Sequence, residues 1–282
     1  MAPPARPAPV RPSRRPPVTR SWWRGPGPIV IAVVGVLAIV SGLLFISQHQ
    51  TPPPSGGNTQ AAQIAAQVQD VPASVSAQIG AGGVARPLDP TGSATLLKDS
   101  AGLPMVIYIG ADYCPFCAAE RWSLVLAMSR FGQLSNLSLG TSSSTDSYPN
   151  TATFSFTGAK FQSSYVDFSF VETTSRSGQT IASPTAIQQS QFNQYDSGGS
   201  IPFIDVGSRF VQVGSGYAPD VLQGMNWTQI VTALGSPGSA VANDVVGNAN
   251  WITAAICVAT ANQPASACSP REIVALEKQF GG

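Results

Sequence analysis

Apolar residues along this chain fall into a few runs, and each run implies a different element. The first, residues 28–47, carries no charge and consists mostly of Ile, Val, Leu, Gly and Ala. About 18–20 such residues make a helix long enough to cross a hydrocarbon core some 30 Å thick, so this run reads as a transmembrane helix. Residues 48–60 (QHQTPPPSGGNTQ) join a Pro run to Gly-Gly with no large apolar side chain, which is linker composition. Residues 61–68 read as a weak helix with a thin apolar face, and folded protein is expected from Asp70 onward.

Beyond Asp70, periodicity separates strands from helices. Residues 93–100 read as a helix or a lead-in, and 106–110 as a buried strand. Residues 117–131 place Trp122, Val125 and Met128 on one side of a helix that Gly132 should stop. A short strand is expected at 137–139. In the Ser/Thr-rich section that follows, 153–156 and 165–173 alternate as strands and 187–195 reads as a short helix. The apolar runs within 200–213 meet at Gly207-Ser208, which predicts a hairpin with a two-residue turn. Two helices are expected at 248–261 and 270–280. The second opens on Ser269-Pro270-Arg271-Glu272, which has capping-box spacing with Pro at the first helical position.

Charge changes the picture by giving the first run a direction. Six arginines (Arg6, Arg11, Arg14, Arg15, Arg20, Arg24) and no acid precede it, while nine basic and all fourteen acidic residues follow, leaving +6 on one side and −5 on the other. The positive-inside rule therefore puts the N-terminus in the cytoplasm and the main domain outside, with Trp22 and Trp23 in the interface belt. A cleaved signal peptide is the competing reading. It should end on an Ala-x-Ala-like site, and Ile46-Ser47-Gln48-His49-Gln50 stands there instead, so an uncleaved anchor is preferred. The Pro-rich arm holds no groove-reading element, so no nucleic-acid partner is expected. The organisation is thus a basic arm at 1–27, a membrane helix at 28–47 in contact with the bilayer, a linker at 48–69 and a folded domain at 70–282. That last section is long enough for one core.

Candidate chemistry centres on Cys114-Pro115-Phe116-Cys117, directly after the strand run. At a helix start, free backbone N–H groups and the positive dipole end favour a thiolate over a thiol. Cys114 is then the attacking nucleophile, and Cys117, one turn on, is within reach to resolve a mixed disulfide. Half of a zinc site and a structural disulfide are the plainer readings. Zinc needs further ligands, and the single histidine, His49, lies across the linker, so no metal and no cofactor are expected. All four cysteines lie in the outward-facing part, where an oxidising compartment favours disulfides. Cys257 and Cys268 bracket a short connection between two helices, which suits a staple worth about 2–3 kcal/mol on the loop-entropy model. A redox relay to Cys114–Cys117 is the alternative role for this pair.

A strand, Cys-Pro-Phe-Cys, a helix and, much later, Ile201-Pro202 opening a hairpin: this order resembles the thioredoxin-like superfamily over roughly 105–130 and 200–234. The string from Tyr108 to Trp122 resembles, more narrowly, an uncharacterised family of membrane-anchored thioredoxin-like proteins catalogued as a domain of unknown function. The resemblance implies an α/β thioredoxin-like fold with an inserted Ser/Thr-rich section (138–200) and a C-terminal helical hairpin. It also implies a cis Pro202 beside the reactive cysteine, with Ile201 offering its backbone to an extended substrate; an ordinary trans Pro opening a strand is the plainer reading. Tyr108 stands where thioredoxins proper carry a buried Asp. Glu120 is then a candidate proton acceptor or a plain helix-surface charge, and Asp112 a candidate tuner of the thiols. The insertion is either a lid or extra sheet.

The function these readings imply is a membrane-anchored extracytoplasmic thiol–disulfide oxidoreductase. Its partners would be exported cysteine-containing proteins and a membrane redox partner. The alternative is a non-enzymatic envelope binding protein with structural disulfides, and a thiol-based metal handler is a third reading.

Overall fold

The computed structural model describes residues 56–281. The basic arm, the run at 28–47 and the first part of the linker lie outside them. Among the described residues, no helix is long and apolar enough to cross a membrane.

Helices α1 (Gly56–Gln69) and α2 (Ala73–Ile79) precede a short β1 (Asp89–Pro90). Strand β2 (Met105–Gly110) leads into α3 (Pro115–Ser129). The short strands β3 (Gly132–Ser135), β4 (Ser138–Thr141), β5 (Ala152–Ser155) and β6 (Lys160–Ser163) follow, then β7 (Asp167–Glu172) and α4 (Ala186–Tyr195). After these come β8 (Phe203–Val206), β9 (Phe210–Val213), α5 (Trp227–Leu234), α6 (Ala240–Ala259), α7 (Ala265–Cys268) and α8 (Arg271–Glu277). The fold is mixed α/β, built on a five-stranded sheet in the order β1-β9-β8-β2-β7. β2 runs parallel to β7 and antiparallel to β8.

All six residues of β2 are buried, because the strand has a partner on each edge and helices on each face. Alternation divides its side chains between the two faces. Val106 and Tyr108 join the larger core with α3 and α6, while Met105, Ile107 and Ile109 pack with Val171, Phe203 and the α4 residues Ile187 and Phe192. Helix α3 is enclosed almost all round, which explains its lack of a polar face. Trp122 Nε1 donates to Ala152 O at 2.9 Å, Thr153 Oγ1 to Ala118 O at 2.7 Å and Ser123 Oγ to Val245 O at 2.9 Å. These bonds clamp α3 between β5 and α6.

Several expectations change. The helix expected at 61–68 is present but longer: α1 runs from Gly56 within the section expected as linker at 48–69, and its apolar face, Ala61, Ile64, Ala65 and Val68, an i, i+3, i+4, i+7 set, is buried. Within the expected insertion at 138–200, β7 is an integral strand of the main sheet, while β4, β5 and β6 stand outside it, β4 paired with β5 and β6 with β3, which precedes the section. The hairpin turn is three residues, 207–209, between the paired Val206 and Phe210, with Gly207 and Ser208 both at positive φ. Helix α6 starts eight residues before the expected 248, at an N-cap where Ser239 Oγ accepts from Ala242 N at 2.9 Å. The missed turns hold Asn243, Asp244 and Gly247, residues poor in helix propensity; Gly247 is there because a Cβ would run into the Ala81 carbonyl. The capping box expected at Ser269 does not form. Ser269 instead closes α7, its N–H donating to Ala265 O at 2.8 Å, and α8 has Pro270 at its N-cap.

The hairpin expected near the C-terminus is present and carries a Cys257–Cys268 disulfide with Cα atoms 5.5 Å apart. Both cysteines are buried.

Candidate functional site

The end of β2 delivers the chain to the start of α3, and the loop between them is held from two sides. Asp112 N donates to Thr174 O, and Tyr113 O accepts from Ser143 N, both at 2.8 Å. Gly110 is required at the strand end, because a Cβ there would collide with the Tyr108 hydroxyl. Cys114 is the N-cap of α3 and Pro115 its first residue. A sulfur at this position can use an N–H that the helix leaves free. Cys114 Sγ accepts from Cys117 N at 3.2 Å and its thiol donates to Ile201 O at 3.8 Å.

The two thiols are free and differ in environment. Cys114 is 5% exposed and Cys117 is fully buried. The hydrogen bond shared with the Cys117 thiol holds the Cys114 pKa below its ordinary value against the opposing effect of burial; the Cys117 amide and the Arg121 charge add to the lowering. Burial pushes the Cys117 thiol well up, and its bond to Cys114 raises it further. Cys114 is therefore the ionisable, outer thiol and Cys117 the protonated, inner one.

Ile201 and Tyr113 pack on the small cluster of Ala111, Cys114 and Cys117. The Ile201–Pro202 peptide bond is cis. Phe116, between the cysteines, is exposed and meets Tyr148 edge-on, ring centroids 5.7 Å apart. Beside this surface lies an open depression of about 310 Å³ lined by Asp112, Thr141, Ser155, Thr157 and Arg176 among others.

Residues 98–195 match a family model described as a domain of unknown function (DUF929). No curated protein and no solved structure matches the chain. The matched segment holds β2, the dithiol, α3 and β7, and it ends before Ile201.

Beneath the dithiol lies a charge pair that the sequence reading missed. Arg121 Nε and Nη2 donate to Glu172 Oε1 and Oε2, each at 2.7 Å, and Nη2 also donates to Ala111 O at 2.7 Å. Asp112 Oδ1 stands 3.6 Å from Nη2, so this candidate tuner is placed beside the guanidinium. Arg121 is fully buried and Glu172 is 3% exposed. Burial works against the arginine charge, and Glu172 more than offsets it, so the guanidinium stays protonated. The Tyr108 hydroxyl and Arg121 Nη1 are buried with no hydrogen-bond partner among the described residues.

Glu120 is not the helix-surface charge that one reading made it. It is fully buried, with Oε2 accepting from Ser215 Oγ at 3.1 Å and Gly216 N at 2.9 Å, and Oε1 accepting from Asn248 Nδ2 at 2.8 Å. Burial raises its pKa against these donors. Those bonds tie α3 to α6 and to the loop after β9. The charges that act on Cys117 are those of Cys114, Arg121 and Glu172. Among the described residues no group of three or more His, Cys, Asp or Glu is placed to hold a metal ion.

Proposed function

We propose that this chain is a thiol–disulfide oxidoreductase of thioredoxin-like architecture, anchored in a membrane by residues 28–47 and acting outside the cytoplasm on exported cysteine-containing proteins. The observation that carries this reading is the asymmetry of the pair: Cys114 caps α3 with its sulfur on an amide, and Cys117 is sealed beneath it. That division of roles suits an attacking and a resolving thiol.

In the reductive direction, the Cys114 thiolate attacks one sulfur of a substrate disulfide. A mixed disulfide forms and the first substrate thiolate leaves. Cys117 then attacks Cys114 Sγ, closing the Cys114–Cys117 bond and expelling the second substrate thiolate. Two electrons and, by way of solvent, the Cys117 proton pass from the protein to the substrate, whose other thiolate draws a proton from solvent; the oxidative direction is the reverse. The Ile201 carbonyl, within reach of the Cys114 sulfur, supplies main-chain pairing for an extended substrate. A membrane redox partner restores the starting state of the dithiol.

The test is trapping in cells. Full-length Cys117→Ser should accumulate mixed disulfides with exported proteins, and Cys114→Ser should accumulate none. Equal absence of adducts from both variants, with wild-type Cys114 unreactive to alkylation, would leave a binding protein in place of an enzyme.

A further inference from the structure

Cys117 and Arg121 are four residues apart on α3, neighbours on one helical face. Arg121 is fully enclosed and held through Nε and Nη2 by both carboxylate oxygens of Glu172 from β7, with Asp112 against the same Nη2. A buried ion pair is a weak device for stability, because apolar residues of equal volume hold a helix to a sheet at least as well. What an apolar pair cannot supply is a fixed positive charge next to a buried thiol, where low dielectric makes each charge count for more.

We propose that Arg121 is the positioning charge of the exchange centre, its guanidinium stabilising the Cys117 thiolate that attacks the mixed disulfide at Cys114. Glu172 and Asp112 orient that charge and limit its strength. This rests on the thiol-exchange reading. The Cys117 proton leaves to solvent as the thiolate forms, and the substrate thiolate expelled by the attack takes one up, so no further acid or oxidant is needed. The charged and titratable groups facing this pair are Cys114 on α3, Tyr108 from β2, Tyr113 and Asp112 from the β2–α3 loop, and Glu172 from β7. Arg121 lowers the Cys117 pKa and Glu172 raises it, the directions that their charges dictate.

The experiment uses reduced full-length protein in detergent and an aromatic disulfide that releases a coloured thiolate. Release has two phases: attack by Cys114, then resolution by Cys117. The second-phase rate against pH reports the Cys117 thiolate. Arg121→Gln should raise its midpoint by about one unit or more, roughly a tenfold slower second phase at any pH below the midpoint. Glu172→Gln and Asp112→Asn should lower it, and Arg121→Lys should recover part of the wild-type profile. A purely structural pair would move Arg121→Gln and Glu172→Gln the same way, and that result, or no shift in either, overturns the proposal. Should Arg121→Gln fail to fold, Asp112→Asn decides, since its side chain is 21% exposed, stands 3.6 Å from Nη2 and lies outside the Arg121–Glu172 hydrogen bonds. A downward shift supports the proposal, and no shift or an upward one overturns it. Wild-type protein with neither phase would end the thiol-exchange reading itself, whereas two normal phases with unmoved variants would end only the role of Arg121.

Discussion

Arg121 on α3 and Glu172 at the end of β7 meet through two parallel hydrogen bonds of 2.7 Å, with both side chains buried beneath Cys114 and Cys117. The pair joins the helix that carries the dithiol to the strand parallel to β2, so local chemistry and fold share one contact. Removing a single partner leaves an uncompensated buried charge.

Arg121→Ala or Glu172→Ala should therefore lower unfolding free energy by about 3–5 kcal/mol, measured by denaturant titration. The double variant Arg121→Met, Glu172→Leu should regain most of that loss. A double variant no better than the singles would count against the pair being an isolated electrostatic liability.

Alkylation kinetics should separate the two thiols. Cys114, lowered by its bond to the Cys117 thiol, should label first and at lower pH than Cys117, which burial pushes up. Cys117→Ala removes that donor, so the Cys114 pKa should rise relative to wild type. Indistinguishable pH profiles for the two thiols would contradict these roles.

Asp205 carries a separate pH signature. It is fully enclosed in β8; Oδ1 accepts from Ser208 N at 2.6 Å and Oδ2 has no partner among the described residues. Burial raises its pKa to about 7. A carboxyl raised on folding binds its proton more tightly in the native state, so its contribution is intact below pH ~4 and lost as pH climbs towards 7, on the order of 4 kcal/mol in all. Asp205→Asn should flatten the stability profile across that window and be the more stable protein at pH 8. A variant that keeps the wild-type slope would place the pH dependence elsewhere.

Loss of the Cys257–Cys268 bond should cost stability without touching exchange. On the loop-entropy model, a bridge across this separation of 11 residues contributes about 3 kcal/mol. Replacing both cysteines by Ala should lower the melting temperature and leave the rate per folded molecule unchanged. Unchanged stability with lost turnover would mark the pair as a relay.

The charge split across residues 28–47 predicts topology. A reporter fused after Gly282 should be active only in its export-dependent form, and the chain should fractionate with membranes. Cytoplasmic reporter activity would overturn the anchor.

Short-range chemistry made part of this protein legible from its residues alone. The Met105–Ile109 run followed by Cys114-Pro115-Phe116-Cys117 announces a strand feeding a helix N-terminus, because strand burial, Pro at the first helical position and an N-cap sulfur all act within a dozen residues. The β8–β9 hairpin and the Cys257–Cys268 staple were readable for the same reason, one from apolar runs around Gly207-Ser208, the other from a short connection between helices. What the thiols sit upon was not readable. Arg121 and Glu172 lie 51 residues apart, and nothing local in either says that it faces the other. Glu120 is adjacent to Arg121 in sequence, yet it faces Ser215, Gly216 and Asn248, between 95 and 128 residues away. Helical spacing specifies which face a side chain occupies, but only the packing of α3 against β5, β7 and α6 decides whether that face meets water or a buried counter-charge.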